Sequence, residues 1–286
     1  MQKRTDLALE QREEFGDLPD GVECEEFKKG DALVTKIIIK NSEGARALQK
    51  PIGTYLTVEV PPFTDNLKSE ELIKTVAENL SELIKKDGSA LVVGLGNRVI
   101  TPDALGPKAA LKILATRQIG DELRRVAGIE KIRDVSVLAP GVLGQTGIEV
   151  FDLLNSLSKE IKPDFIIVID ALASRYLKRL GCTIQMSNTG ITPGAGVGNA
   201  RHEISKATLG VDVIAVGVPT VVDAATLVYD LTGMESDTAK PDGREMIVTP
   251  REIDLLIDRA SSLVAESINR ALFFNIEPEI IKELLS

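Results

Sequence analysis

The sequence predicts an α/β fold, a three-layer α/β/α sandwich around a mainly parallel central sheet. Four segments of continuous apolar residues predict strands that are covered on both faces, because half-exposed strands alternate apolar and polar residues. A glycine or proline turn and a helical pattern follow these segments, and this repeated unit is typical of a parallel sheet. The four predicted strands are ALVVGLG (90–96), DVSVLAP (134–140), DFIIVIDA (164–171) and DVIAVGVP (212–219).

The other elements can be assigned in order along the chain. Residues 1–30 are dense in charged side chains and predict an exposed N-terminal arm. Two strand segments within 33–60 predict small N-terminal β elements, and a helical pattern follows them at SEELIKTVAENLSELIKK (69–86). Residues 234–245 predict a surface loop, and residues 250–272 a final helix. The chain is therefore divided into an arm, 1–30, and a single α/β domain, 31–286.

Composition and charge exclude several classes of protein. The chain has 286 residues, of which 43% are hydrophobic, and this supports a substantial core. The net charge of −9 gives no attraction to nucleic acid or to an anionic membrane surface, because both favour basic faces. No apolar run has the length of a membrane span, and residues 1–20 lack the apolar region of a secretory signal. We therefore expect a protein that stays inside the cell and binds neither DNA nor membranes directly.

The cysteine and histidine content argues against several kinds of site. Cys24 and Cys182 lie far apart without a C-x-x-C pattern, so they predict neither a disulfide framework nor a zinc cluster. Any Ser-His-Asp or Cys-His site would depend on His202, the single histidine, which is expected to be a solvated residue near a helix start. The GLGN turn at 94–97 lacks the third glycine of a dinucleotide fingerprint. A nucleotide- or small-ligand-binding protein without catalytic activity nevertheless remains an alternative.

Carboxylates at the strand ends are the most informative candidates. In an open α/β sheet, ligands bind beyond the carboxyl ends of the strands. Asp103 lies in TPDALGP just past the first buried strand, and Asp170 ends the apolar run FIIVID. A carboxylate at the tip of a buried strand is costly to desolvate, so it needs a partner, a proton or a chemical role. The structural alternative is that Asp170 caps a neighbouring loop. Three further carboxylates near the same edge are candidates for substrate contacts or loop braces: Glu149, Glu203 and Asp223.

Long blocks of the sequence resemble the germination proteases of spore-forming bacteria. These blocks are VVGLGNRVITPDALGPKA, APGVLGQTGIE, PDFIIVIDALASR, GITPGAGVGNARHEIS, GVPTVVDAATLV and the N-terminal RTDLALE. The resemblance implies an endopeptidase that degrades small acid-soluble DNA-binding spore proteins during germination. It also implies an atypical aspartic protease without a cofactor, made as a self-processing zymogen, assembled as a homotetramer and located in the cytoplasm of the spore core.

The same resemblance assigns roles to the candidate residues. It implies that Asp103 and Asp170 are the catalytic carboxylates, although it leaves open which is the acid and which is the base. The glycine-rich loops at 94–97 and 194–198 are candidates to donate N–H groups to the peptide or its oxyanion. Six residues are accordingly expected to bind substrate: Gly96, Asn97, Glu149, Gly196, Gly198 and Glu203. The fold also resembles the hydrogenase-maturation endopeptidases, which bind a metal through acidic residues and a histidine. A metal-dependent peptidase with Asp103 and Asp170 as ligands is therefore a second alternative, although no residue of this chain is assigned as that histidine.

The N-terminal segment resembles the substrates of this family. Those substrates carry Thr, an acid, a large apolar residue, Ala, any residue and Glu, and they are cut after the acid. Residues 5–10, TDLALE, follow the same order. The resemblance therefore implies a cut between Asp6 and Leu7, with residues 1–6 as the propeptide. The alternative is that this segment is an uncut, docked helix start.

Overall fold

A mixed β-sheet of nine strands, with helices on both faces, organises the chain. The computed structural model describes residues 5–65, 70–198, 201–233 and 246–285, so the predicted loop at 234–245 lies outside the described residues. The strands are β1 Val22–Lys29, β2 Ala32–Ile39, β3 Gly53–Glu59, β4 Ala90–Gly94, β5 Val135–Leu138, β6 Phe165–Ser174, β7 Thr183–Ser187, β8 Asp212–Asp223 and β9 Ile247–Val248. The helices are α1 Ala8–Glu13, α2 Ser42–Leu48, α3 Glu70–Ser81, α4 Leu105–Ala110, α5 Asp121–Val126, α6 Leu143–Thr146, α7 Val150–Ile161, α8 Lys206–Leu209, α9 Ala224–Thr232, α10 Ile253–Leu272 and α11 Pro278–Leu285.

The sheet has a parallel half and an antiparallel half. The strand order is β1-β2-β3-β7-β8-β6-β4-β5, and β9 pairs with the end of β8. β5, β4, β6 and β8 are mutually parallel, whereas β7, β3, β2 and β1 join the sheet in antiparallel pairs. The predicted α/β fold is confirmed, and strands form at the four predicted positions, of which β4, β6 and β8 are largely buried whereas the edge strand β5 is half-buried. The sheet as a whole is mixed, because the strands outside this parallel half pair antiparallel.

Two apolar layers explain the continuous apolar runs of the central strands. Val92 of β4 and Ile167 of β6 face the layer formed by α3, α4 and α10. Leu91 of β4 and Ile166 of β6 face the opposite layer, which contains Leu154 of α7. Because successive side chains point to opposite faces, a strand covered on both sides requires an apolar residue at every position. Within the described ranges, none of the helices combines the length and apolar character needed to span a bilayer.

The N-terminal residues differ from the predicted exposed arm. β1 pairs with β2 along its whole length through a tight turn at Gly30, whose φ of 58° is the left-handed conformation that favours glycine. The proposed boundary at residue 30 therefore falls inside a hairpin. Leu7 and Ala8 are fully buried, and Ala8 belongs to a small apolar cluster that includes Ile37 of β2. β1 is an edge strand, and many of its residues are exposed and charged. Charged side chains on an edge strand discourage aggregation, and in the sequence they resemble an exposed arm.

Candidate active site

The carboxyl ends of β4 and β6 open into a cavity of about 480 Å³. In the sheet, β4 lies between β5 and β6. The chain continues from β4 to β5 on one side of β4 and then crosses to β6 on the other side of β4. Such a reversal of direction separates the connecting loops and forms a ligand crevice in open α/β sheets. The parallel pairing of β4 with β6 ends at Gly94 and Ile169. Asp170, the next residue of β6, lines the cavity at this point.

Asp103 is held by the loop that leaves β4. The chain turns at Gly96 and returns in a short 3₁₀ turn, Thr101–Asp103. Gly96 has a φ of 112°, and a Cβ atom there would lie 2.1 Å from the Asp103 carbonyl oxygen, so only glycine fits. The Asn97 N–H donates to Asp103 Oδ2 at 2.7 Å. The glycine of the GLGN turn therefore serves to bring the chain back against Asp103.

Asp170 is held by the sheet itself. It pairs in register with Gly217 of β8, two residues before a β-bulge at Leu172 and Ala173, and it is only 7% exposed. The Ala171 N–H donates to its Oδ1 at 2.9 Å. Burial, and then the negative charges of Asp103 and Asp6, raise the pKa of Asp170 well above its ordinary value.

A third carboxylate, that of Asp6, reaches the same cavity from the N-terminal segment. Its Oδ2 accepts a hydrogen bond from the Ala173 N–H at 2.8 Å, and the Gly196 N–H also donates to the carboxylate. Burial raises the pKa of Asp6, although the charge of Lys50 and these two N–H groups oppose the rise. Burial likewise raises the pKa of Asp103, against the hydrogen bond from Asn97. The cavity therefore favours retention of protons by a cluster of three carboxyl groups.

The segment that contains the predicted cut site is docked. The Asp6 N–H donates to the Ala173 carbonyl at 2.9 Å. The Asp6 carbonyl oxygen accepts from Lys50 Nζ at 2.9 Å and from Gln185 Nε2 at 3.0 Å. The Ala8 N–H donates to Gln185 Oε1 at 2.6 Å. This docked position agrees with the alternative of an uncut helix start. It also places Asp6 in the same cavity as Asp103 and Asp170, as the predicted cut between Asp6 and Leu7 would need.

The Glu10 carboxylate anchors the other end of this segment. It accepts hydrogen bonds from the Arg175 N–H at 2.7 Å and from the Tyr176 N–H at 3.0 Å. The Thr5 hydroxyl also donates to it. Residues 5–10 are therefore fixed through polar contacts at both ends and through the buried side chains of Leu7 and Ala8 between them.

The structure brings together most, but not all, of the other predicted site residues. Gly96, Asn97, Glu149 and Gly196 line the cavity with the carboxylates. Glu203 instead lines an adjoining cavity of about 190 Å³, and Gly198 lines neither. Gly198 instead occupies the left-handed position that ends a short 3₁₀ turn.

Two other residues near the strand ends, His202 and Asp223, differ in their surroundings from the cavity carboxylates. His202 is exposed at the cavity rim, where its ring lies 5.6 Å from that of Phe151. Asp223 caps α9, because its Oδ1 accepts from the Thr226 N–H at 2.9 Å. Asp223 is therefore a structural cap, as the alternative of a loop brace expected.

Sequence reasoning missed Lys50 and Gln185, which hold the Asp6 carbonyl oxygen. Lys50 follows α2 in a polar stretch with no motif. The one available signal is Gln185, a polar residue within the buried strand TIQMS. A buried amide must find partners, so its position indicates a polar contact that the strand itself does not supply.

The arrangement does not provide a recognisable metal centre. Among the described residues, no group of three or more His, Cys, Asp or Glu side chains is arranged to hold a metal ion. The cavity carboxylates among the described residues therefore do not fit a metal site of that size.

Comparisons with known proteins agree on one family. A family model described as germination protease matches residues 2–236. The chain is 42% identical to the germination protease of Clostridium tetani, with 100% of both chains covered. It is 42% identical to that of Caldanaerobacter subterraneus subsp. tengcongensis, over 99% of this chain and 98% of the relative. It is 45% identical to that of Bacillus velezensis, over 85% of this chain and 68% of the relative.

One solved structure was also found to be similar. It is the NiFe hydrogenase maturation protease HycI from Thermococcus kodakarensis KOD1, with 18% identity and a TM-score of 0.36. The similarity covers 66% of this chain and 98% of that protein.

Proposed function

This chain belongs to the germination protease family, and we propose that it hydrolyses peptide bonds with Asp103 and Asp170 as its catalytic carboxylates. One observation carries the proposal. Two carboxyl groups from neighbouring strand ends share one cavity at the point where the strand order reverses, and the charge of Asp103 helps to raise the pKa of Asp170. Coupled carboxyl groups of this kind can hold one proton between them at a pH where isolated groups are ionised.

The reaction divides between the two groups. The ionised carboxylate accepts a proton from a water molecule as the water oxygen attacks the peptide carbonyl carbon. The protonated carboxyl group supplies a proton toward the leaving nitrogen, and the C–N bond then breaks to give a carboxylic acid and an amine. Because the two titrations are coupled, the apparent pKa values belong to the pair.

Self-processing at Asp6–Leu7 is part of the proposal. It is supported by the position of Asp6, which lines the same cavity as the catalytic pair. Protonation of a carboxylate cluster is favoured by acid, so mildly acidic pH is the expected trigger. Intact-mass analysis after incubation at this pH should give a chain that begins at Leu7, and Asp103→Asn should abolish its formation. A chain that keeps its original start while it cleaves substrate would argue against self-processing.

We further propose small acid-soluble spore proteins as the substrates, the cytoplasm of the spore core as the location and a homotetramer as the active form. The support is family membership. Incubation with a purified spore protein of this class, followed by mass spectrometry, should show cleavage after an acidic residue. Cleavage should persist in excess chelator, whereas loss with chelator and rescue by one metal would favour a metal-dependent peptidase. Sedimentation analysis should give four times the chain mass.

A further inference from the structure

Four hydrogen-bond donors from separate parts of the chain converge on residue 6. The N–H groups of Ala173 and Gly196 hold the Asp6 carboxylate. The side chains of Lys50 and Gln185 hold its main-chain carbonyl oxygen at 2.9 and 3.0 Å. We call these four groups the Asp6 cradle. The cradle therefore binds both the side-chain carboxylate of residue 6 and its main-chain carbonyl oxygen.

The side chains of the cradle depend on the N-terminal segment for their partners. Within the described residues, Lys50 Nζ donates to the carbonyl oxygens of Thr5 and Asp6. Gln185 uses its Nε2 on Asp6 and its Oε1 on the Ala8 N–H. Removal of residues 1–6 would leave the ammonium and the Nε2 group of this site without these acceptors. A buried donor without an acceptor is unfavourable, so the vacated cradle should favour binding of a replacement.

The geometry points to the Asp6 cradle as the acidic-residue subsite of the protease. We propose that, after residues 1–6 have left, the cradle binds the carboxylate and the carbonyl oxygen of the acidic residue that precedes the cleaved bond in a substrate. This inference rests on the proposed function and adds the residues that select the substrate. Asp6 occupies the cradle in the unprocessed chain.

Two features of the cradle select an acid over its amide. Two N–H donors meet the side chain, and both oxygens of a carboxylate can accept from them, whereas an Asn side chain has one accepting oxygen and an NH₂ group that only donates. The positive charge of Lys50 also favours the ionised side chain, as its effect on the Asp6 pKa indicates. Gly196 sets the space, because a Cβ atom there would lie 2.1 Å from Asp6 Oδ2.

The first test uses the processed protein, which lacks only residues 1–6. It measures cleavage of two peptides, one that contains TDLALE and one that contains TNLALE. The unmodified protein should prefer the Asp peptide at least about tenfold in kcat/KM, because the Asn side chain has one accepting oxygen in place of two and no charge to interact with Lys50. Gly196→Ala should reduce kcat/KM for the Asp peptide at least about tenfold. Gly120→Ala is its matched control, because no atom lies within 4 Å of the Cβ position at Gly120. Lys50→Met should reduce the preference for Asp, whereas Lys36→Met, at an exposed pair with Glu82, should not.

The second test measures binding without catalysis. A fluorescent TDLALE peptide is titrated into the full-length Asp6→Ala protein, in which the docked segment no longer fills the carboxylate part of the cradle, with Asp103→Asn added to prevent cleavage of the peptide. Binding should be at least about tenfold tighter than for TNLALE, and Gly196→Ala in the same background should remove the difference. Melting temperatures of all variants identify any that fail to fold, in which case Lys50→Met provides the independent comparison.

The outcomes separate the two proposals. Cleavage by the unmodified protein with the same Asp preference in Gly196→Ala and Lys50→Met would overturn the subsite and leave the protease in place. Absence of cleavage by the unmodified protein would overturn the proposed function, and the binding test would then decide the subsite. Equal binding of the Asp and Asn peptides would overturn the assignment of the Asp6 cradle as the acidic-residue subsite.

Discussion

The N-terminal segment contributes one buried carboxylate to each of two clusters that balance their charges differently. Asp6 joins Asp103 and Asp170 in what we call the carboxylate cavity. Glu10 joins an arginine network a few residues away along the same segment. The arginine network consists of Arg175 and Arg179 with Glu10, Glu13, Glu14, Glu59 and Asp230.

Cations accompany the acids in the arginine network. Arg179 is 2% exposed, and its guanidinium contacts Glu13 at 2.6 Å and also Glu59. Arg175 Nε lies 3.0 Å from Asp230. Burial raises the pKa of Glu10, but hydrogen bonds from Thr5, Arg175 and Tyr176 and the charge of Arg179 oppose the rise. The network therefore places cationic partners beside its carboxylates.

The carboxylate cavity is arranged in the opposite way. Asp103 and Asp6 each raise the pKa of Asp170 further, and one hydrogen bond from Ala171 opposes them. A buried anion without a matching cation favours its protonated form. Lys50 offsets part of the charge of Asp6, whereas no ion pair of Asp103 or Asp170 is found among the described residues. We therefore propose Asp103 and Asp170, and not the charge-matched carboxylates, as the groups that transfer protons.

The largest expected effect separates the two clusters by activity. Asp103→Asn or Asp170→Asn should reduce kcat/KM at least about a hundredfold, because each removes a group that transfers a proton. The double variant should lose little more than either single one, since residues that act as a unit are not additive. Asp230→Asn, in the arginine network, is the matched control and should retain activity. Peptide cleavage followed by mass spectrometry measures all four.

Full activity in Asp103→Asn or Asp170→Asn would break the comparison, as would equal losses in Asp230→Asn. Cleanly additive losses in the double variant would instead assign the chemistry to a single Asp.

The next effect concerns stability in the arginine network. Arg179→Met should lower the free energy of unfolding by about 3 kcal/mol, because it leaves the carboxylates of Glu10 and Glu59 without their buried partner. Urea unfolding measures the change. A loss below about 1 kcal/mol would mean that the network does not support the fold.

The sequence predicts the two clusters to different extents. Asp103 and Asp170 could be found because Asp103 follows the apolar strand β4 and Asp170 ends the apolar run within β6, and chain order alone places such positions at one edge of a parallel sheet. The contacts of Glu10 with Arg175 and Tyr176 join residues 165 and 166 positions apart, and no local pattern marks them. The Asp6 cradle is hidden for the same reason, because two of its four donors are main-chain N–H groups that carry no residue signature.

Secondary structure shows a similar limit. The buried strands of the parallel half, β4, β6 and β8, have strong continuous apolar runs and are therefore predictable. β1 is not, because an edge strand with charged residues resembles an exposed arm until its pairing with β2 is known.

A pH-dependent stability difference should sharpen the comparison. The folded-state pKa of Asp170 is raised, so its protonated form stabilises the fold below the unfolded pKa of about 3.9, and this stabilisation is lost as the pH rises through the folded pKa. Asp170→Asn lacks this loss. It should therefore be more stable than the unmodified protein at pH 7, by about 1.4 kcal/mol for each pKa unit of the shift, with a smaller difference at pH 4.5. Urea unfolding across this range measures the gap, and a gap that widens toward acid would contradict the assignment.

The smallest expected effect tests whether burial, rather than charge alone, distinguishes the arginine network. Lys178 lies at its edge, with its Nζ 3.6 Å from Glu13 and a side chain that is 64% exposed. An exposed ion pair gains little because water and salt screen it, so Lys178→Met should change the free energy of unfolding by no more than about 0.5 kcal/mol. Arg179 contacts the same Glu13 from a buried position, which makes the two substitutions a matched pair. Urea unfolding of both in one buffer should give a small change at Lys178 and a large one at Arg179. Equal losses would show that the charge on Glu13, and not the burial of its partner, sets the contribution.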